Sequence, residues 1–123
     1  MKPTTTTQPQ QDLSPFRFQK LDVYIQSREL AAAVHRAGIG DSELRDQATR
    51  AAKSVFLNIA EGLPDAQLGV RRRHFTIARN SLCEVAAAVD LAVAIAALPV
   101  AVGGELVMRI QRVAVLLGGL MRA

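Results

Sequence analysis

FTIARNSLCEVAAAVDLAVAIA, residues 75–96, has the clearest helical pattern in the chain. Its apolar side chains recur every three or four residues, the spacing that brings them onto one side of an α-helix. This core seam comprises Phe75, Ala78, Leu82, Val85, Val89, Val93 and Ala96. A second seam with the same spacing comprises Ile77, Ser81, Glu84, Ala88, Leu91 and Ile95. Two such seams predict a helix that is buried on two sides.

The second seam exceeds what a monomeric four-helix bundle needs, because one seam per helix fills such a core. An apolar stripe that remains after folding is typical of an interface. The last helix repeats the pattern, with one stripe through Leu106 and Leu117 and another through Val107 and Ala114. We therefore expect a homo-oligomer whose subunits meet at the second seam. The alternative is that its small residues only allow close helix contacts within one bundle.

Glycine and proline residues divide the chain into four helical segments. We predict helices at about 16–37, 42–61, 65–98 and 103–121. Ser14 with Pro15 is typical of a helix start, as is Asp41 or Ser42 for the second helix. Short connections between long helices favour antiparallel neighbours. The predicted fold class is all-α, an antiparallel up-down-up-down four-helix bundle.

The composition agrees with one helical domain. Half of the 123 residues are hydrophobic but only 4% are aromatic, which favours closely packed helices over a β-sandwich. We assign residues 15–123 to the bundle domain and the Thr/Gln/Pro-rich residues 1–14 to a disordered tail that lacks the apolar segment of a secretory signal. The longest apolar run is interrupted at Asp90, too early for a membrane span. We expect a cytoplasmic protein with no membrane partner.

The sequence shows no catalytic or metal-binding motif. Neither His35 nor His74 follows a glutamate by three residues, as the ligand pairs of a di-iron bundle require. Phosphate-binding glycine loops, dinucleotide fingerprints and nucleophile elbows are absent from the sequence. Cys83 is the only cysteine, which excludes an intramolecular disulfide. We predict no catalytic residue, no metal and no cofactor, and therefore a protein that is not an enzyme.

A polar series follows one face of the second helix beside its apolar stripe. Its members are Gln47, Arg50, Ser54, Asn58 and Glu61. The series is either an ordinary solvated face or a hydrogen-bonded seam at a helix or subunit boundary, where Arg50 could pair with Glu84. We expect Asn58 and Glu61 to form hydrogen bonds near the helix end, and Gly62 to have a positive φ.

A basic cluster lies at the start of the third helix. The chain has a net charge of +4 and a pI of about 10.0, which permits contact with nucleic acid without requiring it. Positive charge near a helix N-terminus is locally unfavourable, which suggests an anion-binding role. The candidate phosphate contacts are Arg71, Arg72, Arg73 and Arg79. The alternative is a cluster that only increases solubility.

Two blocks of the sequence resemble a known family. Asn58-Ile59-Ala60-Glu61-Gly62, preceded by Arg50 and Ser54, and the stretch 75–84 resemble the two signatures of the proteins encoded in intervening sequences of 23S rRNA genes. Residues 18–30 resemble the opening helix of that family, although Tyr24 replaces a common Trp. The family includes the accessory variability determinant of diversity-generating retroelements.

The resemblance implies an up-down-up-down bundle that assembles as a ring-like homopentamer. For the retroelement members it further implies a basic surface that binds nucleic acid and a reverse transcriptase. The leading hypothesis is therefore a non-enzymatic oligomeric scaffold or accessory protein that contacts RNA or DNA. Its rivals are a protein-interaction module with no nucleic-acid role and a protein with a small-molecule or enzymatic site between subunits.

Overall fold

The computed structural model describes residues 14–65 and 67–122. A short 3-10 helix, Arg17–Lys20, precedes four α-helices. These are α1 (Asp22–Arg36), α2 (Ser42–Gly62), α3 (Leu68–Ala94) and α4 (Val100–Arg122). The described residues contain no strand, so the predicted all-α class is confirmed. The predicted tail, residues 1–14, lies outside the described residues except for Ser14.

Each long helix packs against two others. α1 and α3 both contact α2 and α4, and the most extensive contact joins α2 to α3. Ser54 of α2 bonds to Ser81, whereas Asn58, one turn later, bonds to His74, which comes earlier on α3. The two helices therefore run in opposite directions, as predicted for an up-down-up-down bundle.

Small residues let α2 and α3 approach closely. The buried alanines of these two helices are Ala48, Ala51, Ala52, Ala78, Ala88 and Ala92. Larger aliphatic residues fill the centre, among them Leu30, Val55, Val85 and Leu106, each at most 1% exposed. Val89 is equally buried, at 1% exposure, so the predicted core seam is confirmed from Phe75 to Val89. Its last members differ, because Val93 is half-buried and Ala96 is exposed beyond the end of α3.

The first helix begins six residues later than predicted. Ser14 and Pro15 do not start it, because Leu21 is extended, with φ −73° and ψ 145°, and α1 begins at Asp22. Local contacts hold the preceding segment in another conformation. The Gln19 side chain accepts a hydrogen bond from the Phe16 amide at 3.0 Å, and the rings of Phe16 and Phe18 are stacked with centroids 5.9 Å apart.

The ends of α3 and the start of α4 also differ from the predicted ones. The Asp65 carboxylate accepts a bond from the Gln67 amide at 2.8 Å, a turn that delays the start of α3 to Leu68. α3 ends at Ala94 because Ala96 has a left-handed φ of 61°. α4 begins directly after Pro99, whose carbonyl accepts the bond from the Gly103 amide at 2.9 Å. Pro99 therefore opens α4 and does not end α3, which ends at Ala94.

Two of the predicted helix ends are confirmed, and one backbone prediction is wrong. Asp41 caps α2 by accepting a bond from the Leu44 amide at 2.9 Å, and Gly38 after α1 has a φ of 64°. Gly62 does not have a positive φ. A Cβ on Gly62 would lie 2.7 Å from Cε1 of Phe75, so glycine permits close packing of α2 against α3 there.

Candidate functional site

A polar network connects α2 to α3 through four hydrogen-bonded side chains. The hydroxyls of Ser54 and Ser81 are 2.8 Å apart, and Ser81 is only 5% exposed. Asn58 Nδ2 donates to the carbonyl of Ser54 at 2.9 Å and reaches its hydroxyl at 3.3 Å. His74 Nδ1 lies 3.0 Å from Asn58 Oδ1 and 3.6 Å from a carboxylate oxygen of Glu61. Of the two alternatives for this face, the hydrogen-bonded helix boundary is confirmed for Ser54 and Asn58.

The geometry fixes which ring nitrogen of His74 carries a proton. Asn58 uses its Nδ2 to donate to Ser54, so its Oδ1 must accept the bond from the imidazole. A proton on Nδ1 satisfies this requirement in both the neutral and the charged ring. The network therefore serves to align α2 with α3.

The remaining members of the predicted polar series are solvent-exposed. Gln47 and Arg50 make no side-chain hydrogen bond within the described part of the chain, and Glu61 reaches only His74. The predicted ion pair between Arg50 and Glu84 is absent from the described residues, where no such pair lies within 4.0 Å. Both side chains are exposed, and an exposed pair gains too little to hold two long side chains together.

The predicted oligomer interface divides into two groups. Ser81 and Ala88 are each 5% exposed, and Ser81 bonds to Ser54 of α2, so within the single chain they present little surface to another subunit. Ile77 is 40% exposed, and Leu91 and Ile95 are 50% exposed. These three residues and exposed Glu84 form what we call the outer edge of α3. Whether another subunit covers this edge stays a prediction.

The reason for this division is the width of the buried arc on α3. At about 100° per residue, Ser81 and Ala88 lie only about 40–60° from Val85 of the core seam. The two seams are therefore adjacent on the helix, and α2 covers the boundary between them. The outer edge of α3 begins where this cover ends.

Three of the four predicted phosphate contacts line the groove between α3 and α4. Arg71 and Arg72 border a depression of about 200 Å³ with Leu68, Phe75, Leu120 and Met121. Arg79 and Arg122 border a second depression of about 390 Å³, with Met121 common to both. Arg73 follows Arg72 by about 100° around the helix and precedes Ile77 by one turn, so it lies on the outer edge of α3 instead. We call the two joined depressions the α3–α4 groove.

The cations of the α3–α4 groove have no acidic partners. Among the described residues, no carboxylate lies within 4.0 Å of Arg71, Arg72, Arg79 or Arg122. The first turn of α3 contains no acidic residue, and its N-cap residue, Gln67, makes no side-chain capping bond. A larger depression of about 820 Å³ on α2 has mixed charge, since Arg45 and Lys53 are accompanied there by Asp46 and Glu61. The α3–α4 groove is thus the surface that best suits an anion.

The pattern of the four helices agrees with a comparison against protein families. The model of the 23S rRNA-intervening sequence proteins matches residues 19–119. The chain belongs to this family. A comparison of the chain with curated proteins found no match. The two sequence blocks that carry the family resemblance meet in the structure. Asn58 and Glu61 belong to the first block, and both lie close to His74, which directly precedes the second block on α3.

Two residues of these sites were not expected from the sequence. Arg122 joins Arg79 only because α4 returns along α3, a contact that sequence spacing does not encode. His74 was not expected in the polar network, although it precedes Ser81 by seven residues and therefore lies on the same side of α3. The described residues hold no group of three or more metal-ligating side chains. No helix within them is long and apolar enough to cross a membrane.

Proposed function

We propose that this family member is a non-enzymatic accessory protein of the cytoplasm that assembles as a homo-oligomer and binds RNA or DNA along the α3–α4 groove. The observation that carries the proposal is the gathering of four arginines there without carboxylate partners. Guanidinium groups suit phosphate oxygens because they offer several donors in one plane. Contacts of this kind bind the phosphate backbone with little preference for sequence.

Assembly would strengthen such binding. One groove offers only a few cations, but a ring of subunits repeats the same groove around its outside and binds a long chain at several places at once. The exposed aliphatic residues on the outer edge of α3 support an assembly of this kind. The number of five subunits and a reverse transcriptase as partner rest on the resemblance alone.

The nucleic-acid role is tested by titrating a short labelled RNA with the protein at several salt concentrations. We expect the affinity to fall steeply with salt, because phosphate contacts release counterions. Arg72→Gln and Arg79→Gln should each reduce the slope of log affinity against log salt by about 0.7–1 or more, since one protein cation is lost per subunit.

Arg50→Gln is the matched control, because it removes the same charge from an exposed position of α2, outside both the groove and the outer edge of α3. We expect it to keep the slope of the wild type. Sedimentation of each variant verifies that the assembly is unchanged. If the wild type retards neither RNA nor DNA at low salt, the nucleic-acid role is rejected.

The second candidate is a protein-interaction module with no nucleic-acid role. It is favoured by the exposed aliphatic side chains of α4, where Val100, Met108 and Val115 are 77%, 70% and 72% exposed. An apolar surface of this kind suits a protein partner better than a phosphate backbone. Retention of partner binding in Arg72→Gln and Arg79→Gln would favour this candidate.

A further inference from the structure

The α3–α4 groove carries an inference that rests on the nucleic-acid role proposed above. We propose that the groove prefers single-stranded nucleic acid over a duplex. One unpaired base would enter the depression of about 200 Å³ that lies beside the start of α3. We call this depression the base pocket. It is lined by Leu68, Arg71, Arg72, Phe75, Leu120 and Met121.

The base pocket combines an apolar floor with a cationic rim. Phe75 is only 2% exposed and is therefore held firmly in the core beneath the pocket. Leu120 and Met121 are half-buried and form the wall supplied by α4. Arg71 and Arg72 supply the positive charge at its edge. A ligand that matches this surface has a flat apolar part and a neighbouring negative charge, as a nucleotide does.

Arg71 is positioned to stack on a planar ring. Its guanidinium carbon lies over the Phe75 ring, 5.6 Å from the ring centroid. In the described residues no other aromatic ring lies over Arg71. The opposite face of a guanidinium supported in this way can stack on a base, a common contact in the recognition of single strands. Bases inside a duplex are already stacked on each other and cannot enter.

The phosphates on either side of the bound base would meet the remaining cations. Arg72 and Arg79 are seven residues apart on α3, which places them on the same side of the helix with about 10 Å between them along its axis. The first turn of α3 contains no acidic residue that would compete for these cations. An acidic peptide could neutralise these cations but offers no flat ring for Arg71, so the geometry favours a nucleotide.

The experiment compares a single-stranded RNA that contains 2-aminopurine with a duplex of the same sequence. We expect the wild type to bind the single strand about tenfold more tightly and to change its fluorescence, since stacking of one base contributes that much. Met121→Trp should fill the base pocket and reduce the affinity for the single strand to that for the duplex. Met108→Trp, the same change at an exposed position of α4, should preserve the preference.

The outcomes separate the two proposals. Circular dichroism first verifies that both tryptophan variants keep the helical content of the wild type. Absence of binding to either RNA at low salt would reject the proposed nucleic-acid role itself. Equal affinity for single strand and duplex, unchanged by Met121→Trp, would leave that role standing and overturn the base pocket. Displacement of the RNA by a short polyglutamate with the same sensitivity to Met121→Trp would also overturn it, in favour of an acidic peptide.

Discussion

Asn58 is the residue that joins the two ends of the polar network. Its amide donates to Ser54 and its carbonyl accepts from His74, so one side chain satisfies polar groups on both α2 and α3. We predict that Asn58→Ala lowers the free energy of unfolding by about 1–2 kcal/mol, because it leaves partly buried partners unsatisfied. Urea unfolding measures the change. Asn80→Ala, at an exposed position of α3, should stay within about 0.5 kcal/mol of the wild type. Equal stability of the two variants would contradict a structural role for the network.

Gly62 permits the close contact of α2 with α3, because it has no side chain. An added Cβ would lie 2.7 Å from Phe75 and 3.1 Å from Cβ of His74, and the buried Phe75 ring has little room to move. We expect Gly62→Ala to destabilise the fold by about 1–3 kcal/mol through overpacking.

Gly104→Ala is the control for Gly62→Ala, because a Cβ there meets nothing within 4 Å. Alanine at this helical position should stabilise the fold by about 0.5–1 kcal/mol through its better helix propensity. If close packing is the reason for glycine at position 62, thermal unfolding should show a lower melting temperature for Gly62→Ala and a higher one for Gly104→Ala than for the wild type. A stabilised Gly62→Ala variant would refute this reason.

Residues of the site were predictable from the sequence to the extent that they share one helix. Ser54 and Asn58 stood out because four-residue spacing aligns them beside the apolar stripe of α2. Their partners Ser81 and His74 lie on another helix, and the pairing depends on how α2 and α3 align. The sequence does not state this alignment, which alanine packing and the close contact at Gly62 determine in three dimensions.

At the scale of the element, the sequence pattern located the four α-helices of the described residues but not all of their ends. The cap at Asp41 and the stop at Gly38 were predictable because each depends on one residue type in one backbone conformation. The start of α1 was not, since ring stacking of Phe16 on Phe18 competes there with a reasonable capping sequence. Boundaries decided by local side-chain packing are therefore the ones that sequence spacing misplaces.

On α3, the spacing of apolar residues predicts some of the buried positions correctly and others incorrectly. The core seam was correct from Phe75 to Val89, because these residues lie near the centre of the buried arc. The second seam lies at the border of that arc, where a neighbouring helix decides which residues are covered. Ser81, which bonds to Ser54 of α2, and Ala88 are buried, whereas Ile77, Leu91 and Ile95 are 40–50% exposed. The surplus of apolar residues was visible in the sequence, but its division between the core and the surface was not.

At the scale of the whole molecule, the exposed outer edge of α3 predicts assembly. Burial of each large aliphatic side chain contributes about 1.5–3 kcal/mol, which a monomer would forgo at Ile77, Leu91 and Ile95. A ring buries the same edge in every subunit through one repeated contact and leaves no open end. Sedimentation of the wild type should therefore give a mass above that of the 13.2 kDa chain. A monomer at micromolar concentration would reject assembly, whereas a dimer or tetramer would keep the edge and exclude the pentamer.

Leu91→Glu tests whether the outer edge of α3 is the surface that assembles. Leu91 is 50% exposed in the single chain, so the chain itself tolerates a charge there, but a carboxylate buried between subunits has no partner. We expect the variant to sediment as a monomer of 13.2 kDa with the helical circular dichroism of the wild type. Cys83→Glu places the same charge on an exposed position of α3 about 80° away and should remain assembled. Assembly of Leu91→Glu would show that another face joins the subunits, and dissociation of both variants would mean that the contact extends over the outer side of α3.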